Sequence, residues 1–258
     1  MGEDEDLIGE DLENLSEREL ERYERQIGIF GEDGQKALKD STVAVIGLGG
    51  LGSPVSFYLA SGGVGTLLIV DHDSVECSNL NRQILHGEDE INEGKAKTES
   101  AKETLQKLNS DINIKKLEVK IDEETIENLR GVDVIVDCLD NYETRYLLNE
   151  FAVTENIPLV HAAVEGTYGQ LTTIVPGETP CLRCLFPEAG GEDESVPVLG
   201  TTAGLFGSME ANEVIKIITD HGEPMMGKLF TFDMASNDAN VQEIKRNDDC
   251  PVCSGSFE

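Results

Sequence analysis

Four groups of residues have the types and spacing to do chemistry. The first is the turn of TVAVIGLGGLGSPVSFYLASGGVGTLLIVD, the stretch that starts at Thr42, where Gly47, Gly49 and Gly52 fit G-x-G-x-x-G. Glycines so spaced permit a tight turn and let backbone N–H groups close on phosphate at a helix N-terminus. Asp71 follows 19 residues after Gly52, at the end of the next strand pattern, where a carboxylate can accept hydrogen bonds from ribose hydroxyls. This pattern suits the pyrophosphate of a dinucleotide and the triphosphate of ATP alike, and leaves the two unseparated.

The second group is cationic. SNLNRQ, from Ser78 to Gln83, carries Arg82, whose planar, permanently charged fork suits phosphate oxygens. GKAKTESA then opens a helix pattern with Lys95 and Lys97. A lysine at a helix start opposes the macrodipole and is better tolerated beside a bound anion. So many cations after the nucleotide strand favour a triphosphate over a dinucleotide. The third group is DCLDN, Asp137 to Asn141. Asp140 falls at the carboxyl edge of the strands, where open α/β sheets bind ligands, and would serve Mg²⁺ beside phosphate oxygens. The competing role is a helix N-cap, which Asp140 or Asn141 would supply.

The fourth group is two C-x-x-C pairs, CLRC and CPVC, with 65 residues between Cys184 and Cys250. Cys181, Cys184, Cys250 and Cys253 offer the four thiolates of a closed tetrahedral zinc site, which stabilises rather than catalyses. Cys77 and Cys138 are single, and are expected to be small buried residues.

The elements that must position these groups follow the hydrophobic pattern. SERE is a capping box, so a helix is predicted over 16–25, followed by the amphipathic stretch GEDGQKALKDS. Strands at 42–47, 66–71, 114–119, 132–137 and 158–164 alternate with helices at 52–62, 95–109, 123–130 and 143–156. This order predicts an α/β, Rossmann-like parallel sheet with helices on both faces. Beyond Val164, EGTYGQLTTIVPG and GKLFTFDMAS read as antiparallel strands around one long helix, GLFGSMEANEVIKIITDHG, so the sheet is mixed. PEAGGEDESVP, 187–197, reads as an exposed loop.

The chain has 258 residues and a formal charge of −31, from 51 acidic and 20 basic residues. That charge disfavours nucleic acid and anionic lipid as partners, and any nucleotide site must gather its own cations. No segment is long and apolar enough for a bilayer. The acidic N-terminus has no signal-peptide pattern, so a cytoplasmic protein is expected.

Taken in order, RYERQI, GLGGLGSP, VDHDSVECSNLNRQ, GKAKTESA, DCLDN, RYLLN, CLRCLFP and CPVC resemble the adenylating enzymes of the ubiquitin-activating superfamily. The resemblance is strongest to the prokaryotic group that activates sulfur-carrier proteins, namely the molybdopterin-synthase adenylyltransferase and its thiamine-pathway homologue. It runs from about Arg22 to Cys253. It implies ATP, Mg²⁺ and Zn²⁺ as cofactors and a homodimer. The partner would be a small ubiquitin-like carrier ending in Gly-Gly, whose terminal carboxylate attacks the α-phosphorus of ATP.

By the same resemblance Gly50 lies against the nucleotide, Asp71 on the ribose, and Asn79 and Arg82 near the phosphates. Lys97 is the phosphate lysine, Asp140 serves Mg²⁺ and the reacting centre, and Arg25 reaches the phosphates of the other protomer. The nucleotide-contacting set is then Gly47, Gly49, Gly50, Gly52, Asp71, Ser78, Asn79, Arg82, Lys97, Asp140 and Asn141. The four paired cysteines bind zinc. An acidic arm, 1–20, precedes a single adenylation domain, 21–258, with a nucleotide half at 42–164 and a carrier-binding and zinc half at 165–258. One departure stands out: many relatives carry a cysteine after C-x-x-C-x-F-P, and PEAGGEDESVPVLGTTAG has none. The rival readings are a tRNA-modifying cyclase of the same superfamily, an NAD-dependent oxidoreductase and a nucleotide-binding scaffold.

Overall fold

The computed structural model describes residues 14–188 and 196–255. In chain order the elements are α1 (Glu17–Asp40), β1 (Thr42–Ile46), α2 (Gly52–Gly62), β2 (Thr66–Val70), α3 (Glu88–Glu93), α4 (Lys97–Leu108), β3 (Asn113–Leu117), β4 (Val134–Asp137), α5 (Tyr142–Glu155), β5 (Leu159–Glu165), β6 (Tyr168–Ile174), α6 (Leu182–Leu185), α7 (Gly200–Thr219), β7 (Lys228–Asp233) and β8 (Asp238–Glu243).

They build one eight-stranded sheet in the order β3-β2-β1-β4-β5-β6-β7-β8. Strands β1 to β5 pair in parallel, and β5 to β8 pair antiparallel. The mixed α/β sheet read from the sequence is therefore the one observed. Alternate side chains of each buried strand enter opposite cores. Val43 and Val45 face α1, α2, α4 and α7 on one side, through Leu38, Leu59, Leu105 and Phe206. Ala44 and Ile46 face α5 and the cysteine segments on the other, through Leu148, Phe151 and Leu182. The strand order reverses beside β1, which has β2 on one flank and β4 on the other. That reversal opens the crevice at the carboxyl ends where such sheets take ligands.

Several boundaries differ from the sequence reading. Ser16 caps α1 as expected, with its hydroxyl on Glu19 N–H and the Glu19 carboxylate returning to Ser16 N–H. The helix then runs past Arg25 and absorbs the GEDGQKALKDS stretch, turning at Gly31, whose φ of 75° only glycine adopts readily. Residues 17–20 of the expected acidic arm are thus the first turn of α1, and residues 1–13 lie outside the described residues. The predicted helix at 123–130 is a 3₁₀ turn, Thr125–Leu129. Asp122 accepts from Glu124 and Thr125 N–H, and Gly131 at φ 80° ends so short a segment. The helix predicted from 95 starts at Lys97, because Ala96 is bridged to Ser74 in extended conformation. The long C-terminal helix begins at Gly200 and stops at Thr219, with Asp220 left-handed at φ 51°. Residues 189–195 of the predicted 187–197 loop lie outside the described residues.

α7 packs very closely on its neighbours. A Cβ placed on Gly207 would lie 2.4 Å from the Leu51 carbonyl oxygen and 2.5 Å from Pro54 Cγ. A Cβ on Gly169 of β6 would lie 2.2 Å from the Phe206 ring. The two glycines let backbone meet side chain across both halves of the sheet.

The charge excess bears on stability at once. Self-repulsion at −31 opposes the compact state. Raising NaCl from about 0.1 M to about 1 M shortens the screening length from ~10 Å to ~3 Å. The expected outcome is a melting temperature that climbs by several degrees over that range, read by differential scanning calorimetry. A flat or falling trend would show that the surface ion pairs outweigh the repulsion.

Candidate active site

The glycine turn divides by role. Gly47 has φ 93°, and a Cβ there would lie 2.8 Å from the Cys138 carbonyl oxygen. A Cβ on Gly52 would lie 1.9 Å from the Gly47 carbonyl oxygen. These two glycines shape the turn. Gly49 has only Gln83 Nε2 near its open side, at 3.8 Å. A Cβ on Gly50 would lie 3.0 Å from Ala203 Cβ and 3.5 Å from the Arg82 stem. Gly50 and the Arg82 stem are therefore brought together.

The turn is fixed through Leu48. Its N–H donates to Asp71 Oδ2 at 2.7 Å, and its carbonyl accepts from His86 Nε2 at 3.2 Å. Asp71 Oδ1 accepts Asp73 N–H at 2.8 Å. Each carboxylate oxygen of Asp71 keeps a lone pair, the capacity a ribose hydroxyl would use. His86 was not singled out in the sequence; only its position after the SNLNRQ stretch hinted at it. Burial pushes its pKa down, so the ring is neutral and Nδ1 takes a hydrogen bond from Ser100 Oγ at 2.9 Å.

The SNLNRQ segment begins as a 3₁₀ turn, Cys77–Asn79. Asn79 is buried, and its Oδ1 accepts Glu76 N–H at 3.0 Å. Arg82 Nη1 donates to the Ser78 carbonyl at 2.9 Å and to Asn81 Oδ1 at 3.1 Å. The first turn of α7 closes against the same segment: a Cβ on Gly200 would lie 2.4 Å from the Asn81 carbonyl oxygen. Leu199 gives that helix no side-chain cap. A glycine turn, a guanidinium and a long helix's N-terminus thus converge at one sheet edge, an arrangement suited to anions. Cys77 is exposed, against the expectation of burial, because its turn faces outward; Cys138 is buried as expected.

Lys97 is buried, and its Nζ lies 2.9 Å from Asp73 Oδ2. Burial alone would raise the Asp73 pKa, but the Lys97 hydrogen bond and charge outweigh it and hold the carboxyl below its usual range. Lys95 is engaged with Glu93 and Glu103, both at 3.1 Å. Asp140 is exposed where β4 passes into α5. The cap of α5 is Asn141, whose Oδ1 accepts Thr144 N–H at 2.9 Å, so Asp140 is left without that duty. Arg25 lies exposed on α1 and shares no hydrogen bond or ion pair with this group among the described residues.

On the sheet's other face the two cysteine pairs meet. Cys181 and Cys250 Sγ are 3.6 Å apart, Cys184 and Cys253 Sγ are 3.5 Å apart, and all four lie within 4.8 Å of one another as free thiols. Zn–S bonds of about 2.3 Å in a tetrahedron set the sulfur atoms ~3.8 Å apart. The donor set and spacing fit zinc. Burial pushes the Cys181 thiol up. Burial also opposes ionisation of Cys250, but N–H groups of Cys253 and Val252 and the neighbouring thiols outweigh it and bring that pKa to about 7. Leu182 N–H donates to buried Asn149 Oδ1 at 2.8 Å, tying the first pair to α5. No helix among the described residues is long and apolar enough to cross a membrane.

Residues 23–252 match the model of the ThiF family. The chain is 43% identical over 249 residues to the SAMP-activating enzyme E1 of Haloferax volcanii, covering 93% of this chain and 91% of that protein. It is 37% identical over 249 residues to the molybdopterin-synthase adenylyltransferase of Salmonella typhimurium, covering 94% and 99%. Among solved structures it is similar to E. coli MccB with ATP, with a TM-score of 0.82 at 27% identity, covering 93% of this chain and 76% of that one.

Proposed function

The chain belongs to the ThiF family, and from that premise we propose that it is an ATP-dependent adenylyltransferase whose substrate is the C-terminal glycine carboxylate of a small ubiquitin-like sulfur carrier. One observation carries the reading. Gly50, Arg82 and the N-terminus of α7 meet at the sheet's reversal point, and Asp140 leaves the neighbouring strand end free of capping. That is a place for a polyphosphate with a carboxylate beside it, in a chain similar to one solved with ATP.

In the proposed reaction a carrier carboxylate oxygen attacks the α-phosphorus. The bond from the α-phosphorus to the bridging oxygen breaks, and pyrophosphate leaves with the electron pair. The product is an acyl-adenylate. A carboxylate is already ionised at neutral pH, so no strong base is needed; the difficulty is bringing two anions together. Arg82 would turn from the Ser78 carbonyl to the phosphates, and Lys97 would exchange Asp73 for them, since both present side-chain donors at this edge. Mg²⁺, when bound, would neutralise phosphate charge, and exposed Asp140 would hold it. In a homodimer, exposed Arg25 would reach the phosphates of the other protomer. Zinc, held by Cys181, Cys184, Cys250 and Cys253, would be structural.

The segment PEAGGEDESVPVLGTTAG has no cysteine, so the adenylate would pass to its acceptor without a thioester at that loop. The oxidoreductase reading rested on G-x-G-x-x-G and Asp71 alone, and the family match accounts for both. The cyclase reading stays a separate outcome of the test, since a formal net charge of −31 disfavours tRNA. The test is ATP–pyrophosphate exchange with candidate carriers ending in Gly-Gly. Exchange is expected with at least one, and none once its final glycine is removed. No exchange with any carrier, together with tRNA binding, would overturn the carrier reading.

A further inference from the structure

RYLLN contains a buried cation that the reaction just described does not use. Arg145 is 4% exposed, yet it sits on α5 under the carboxyl end of β4. Its Nε lies 3.7 Å from Asp137 Oδ2, and Asp137 is fully buried. Its Nη2 donates to the Leu139 carbonyl and, at 3.2 Å, to the Ala162 carbonyl. Asp137 Oδ1 in turn accepts Leu139 N–H at 3.2 Å. One ion pair therefore grips both polar groups of a single residue, and that residue immediately precedes Asp140.

The residue after Asp140 is fixed as well, because Asn141 caps α5. Asp140 is thus exposed between two anchored neighbours. The groups around the ion pair are arranged so as not to disturb it. His161 Nδ1 donates to Asp137 Oδ2 at 2.7 Å, and burial pushes the ring's pKa down, so it stays neutral. Burial pushes Glu210 and Cys138 up, so neither adds a charge. The Tyr142 ring supports the guanidinium from 5.3 Å.

We infer that Arg145 is a positioning residue for Asp140: with Asp137 it clamps the Leu139 peptide and so sets the direction in which the Asp140 carboxylate leaves the sheet edge. The role of Asp140 rests on the adenylation reading above; the clamp does not. Removing Arg145 alone leaves a buried, unpaired carboxylate and risks unfolding. The informative variant is therefore Asp137→Asn with Arg145→Met, which removes both charges together.

Three measurements follow. In ATP–pyrophosphate exchange the double variant should lose about a hundredfold in kcat, the scale of a ~1 Å misplacement, with KM for the carrier within about threefold of wild type. Adding Asp140→Asn to it should cost far less than Asp140→Asn costs in the wild type, because the two changes act through one carboxylate. In the unliganded full-length protein, hydrogen exchange of the Leu139 and Asp140 amides should accelerate while the core strands stay protected. Exchange activity within about threefold of wild type, or full additivity with Asp140→Asn, would overturn the inference. So would unchanged amide exchange at 138–141. If the wild type exchanges no pyrophosphate, the adenylation reading fails, and the amide measurement still decides the clamp.

Discussion

An Arg82→Ala enzyme exchanges pyrophosphate into ATP at about one hundredth to one thousandth of the wild-type rate, the range seen when one preorganised charge-stabilising donor is removed. The size of the effect follows from scarcity. The chain has 20 basic residues against 51 acidic ones, and the cations nearest the glycine turn are mostly engaged. Lys95 holds Glu93 and Glu103, Lys97 holds Asp73, and Arg145 is buried beneath the edge. Among the described cations, Arg82 has its stem against Gly50 and its guanidinium on the exposed Ser78 carbonyl and Asn81 Oδ1, bonds that it can release. Arg82→Lys keeps the charge and loses the fork, so its rate should fall between the two. The melting temperature should move little, because the bonds lost are exposed ones. A rate within tenfold of wild type for Arg82→Ala would place the phosphates elsewhere.

The other large effect is expected at the cysteine cluster. Wild-type protein should carry one equivalent of zinc per chain by atomic emission, and Cys250→Ser should carry almost none. Cys250 sits on the C-terminal segment, and its meeting with Cys181 joins that segment to α6 and α5. Loss of a metal that binds only the folded chain removes its binding free energy from stability. A loss of about 3–5 kcal/mol corresponds to a melting temperature ~10 °C lower for a chain of this size. The consequence should reach the reaction. Phe186, two residues after Cys184, accepts through its carbonyl from Tyr146 Oη, and its ring lies 6.4 Å from the His161 ring and 6.1 Å from that of Tyr142. Wild-type protein without zinc, or a Cys250→Ser protein with unchanged melting, would show that the thiols hold no stabilising metal.

What the sequence disclosed depended on whether the signal was local. The run from Thr42 to Val70 was legible because a β-branched strand, a glycine turn and a second strand each carry their own pattern. The cysteine pairs were legible because C-x-x-C fixes two ligands one knuckle apart. β8 was not, because DANVQE is mostly polar and exposed at every position, and its pairing with β7 makes it a strand. The partner of Lys97 was not, because Asp73 reaches it across 24 residues and the sequence shows only a lysine at a helix start. The choice between Asp140 and Asn141 as cap was open until the structure showed which side chain turns back onto the Thr144 N–H. The clamps on Leu48 and Leu139 were hidden for the same reason. Each is assembled from residues on separate segments of the chain, and each acts on backbone groups that carry no side-chain signature.

The near contact of Gly207 with Leu51, and of Phe206 with Gly169, has a mechanical meaning. α7 acts as a keel riveted to the glycine-turn helix at one point and to the antiparallel strands at another. Among the described residues, these two fastenings oppose a clamshell-like hinge between the parallel and antiparallel parts of the sheet. On the adenylation reading, nucleotide and carrier tail would then be admitted along an open rim, and the work of gripping and letting go would fall to individual side chains and to the short spans between strands.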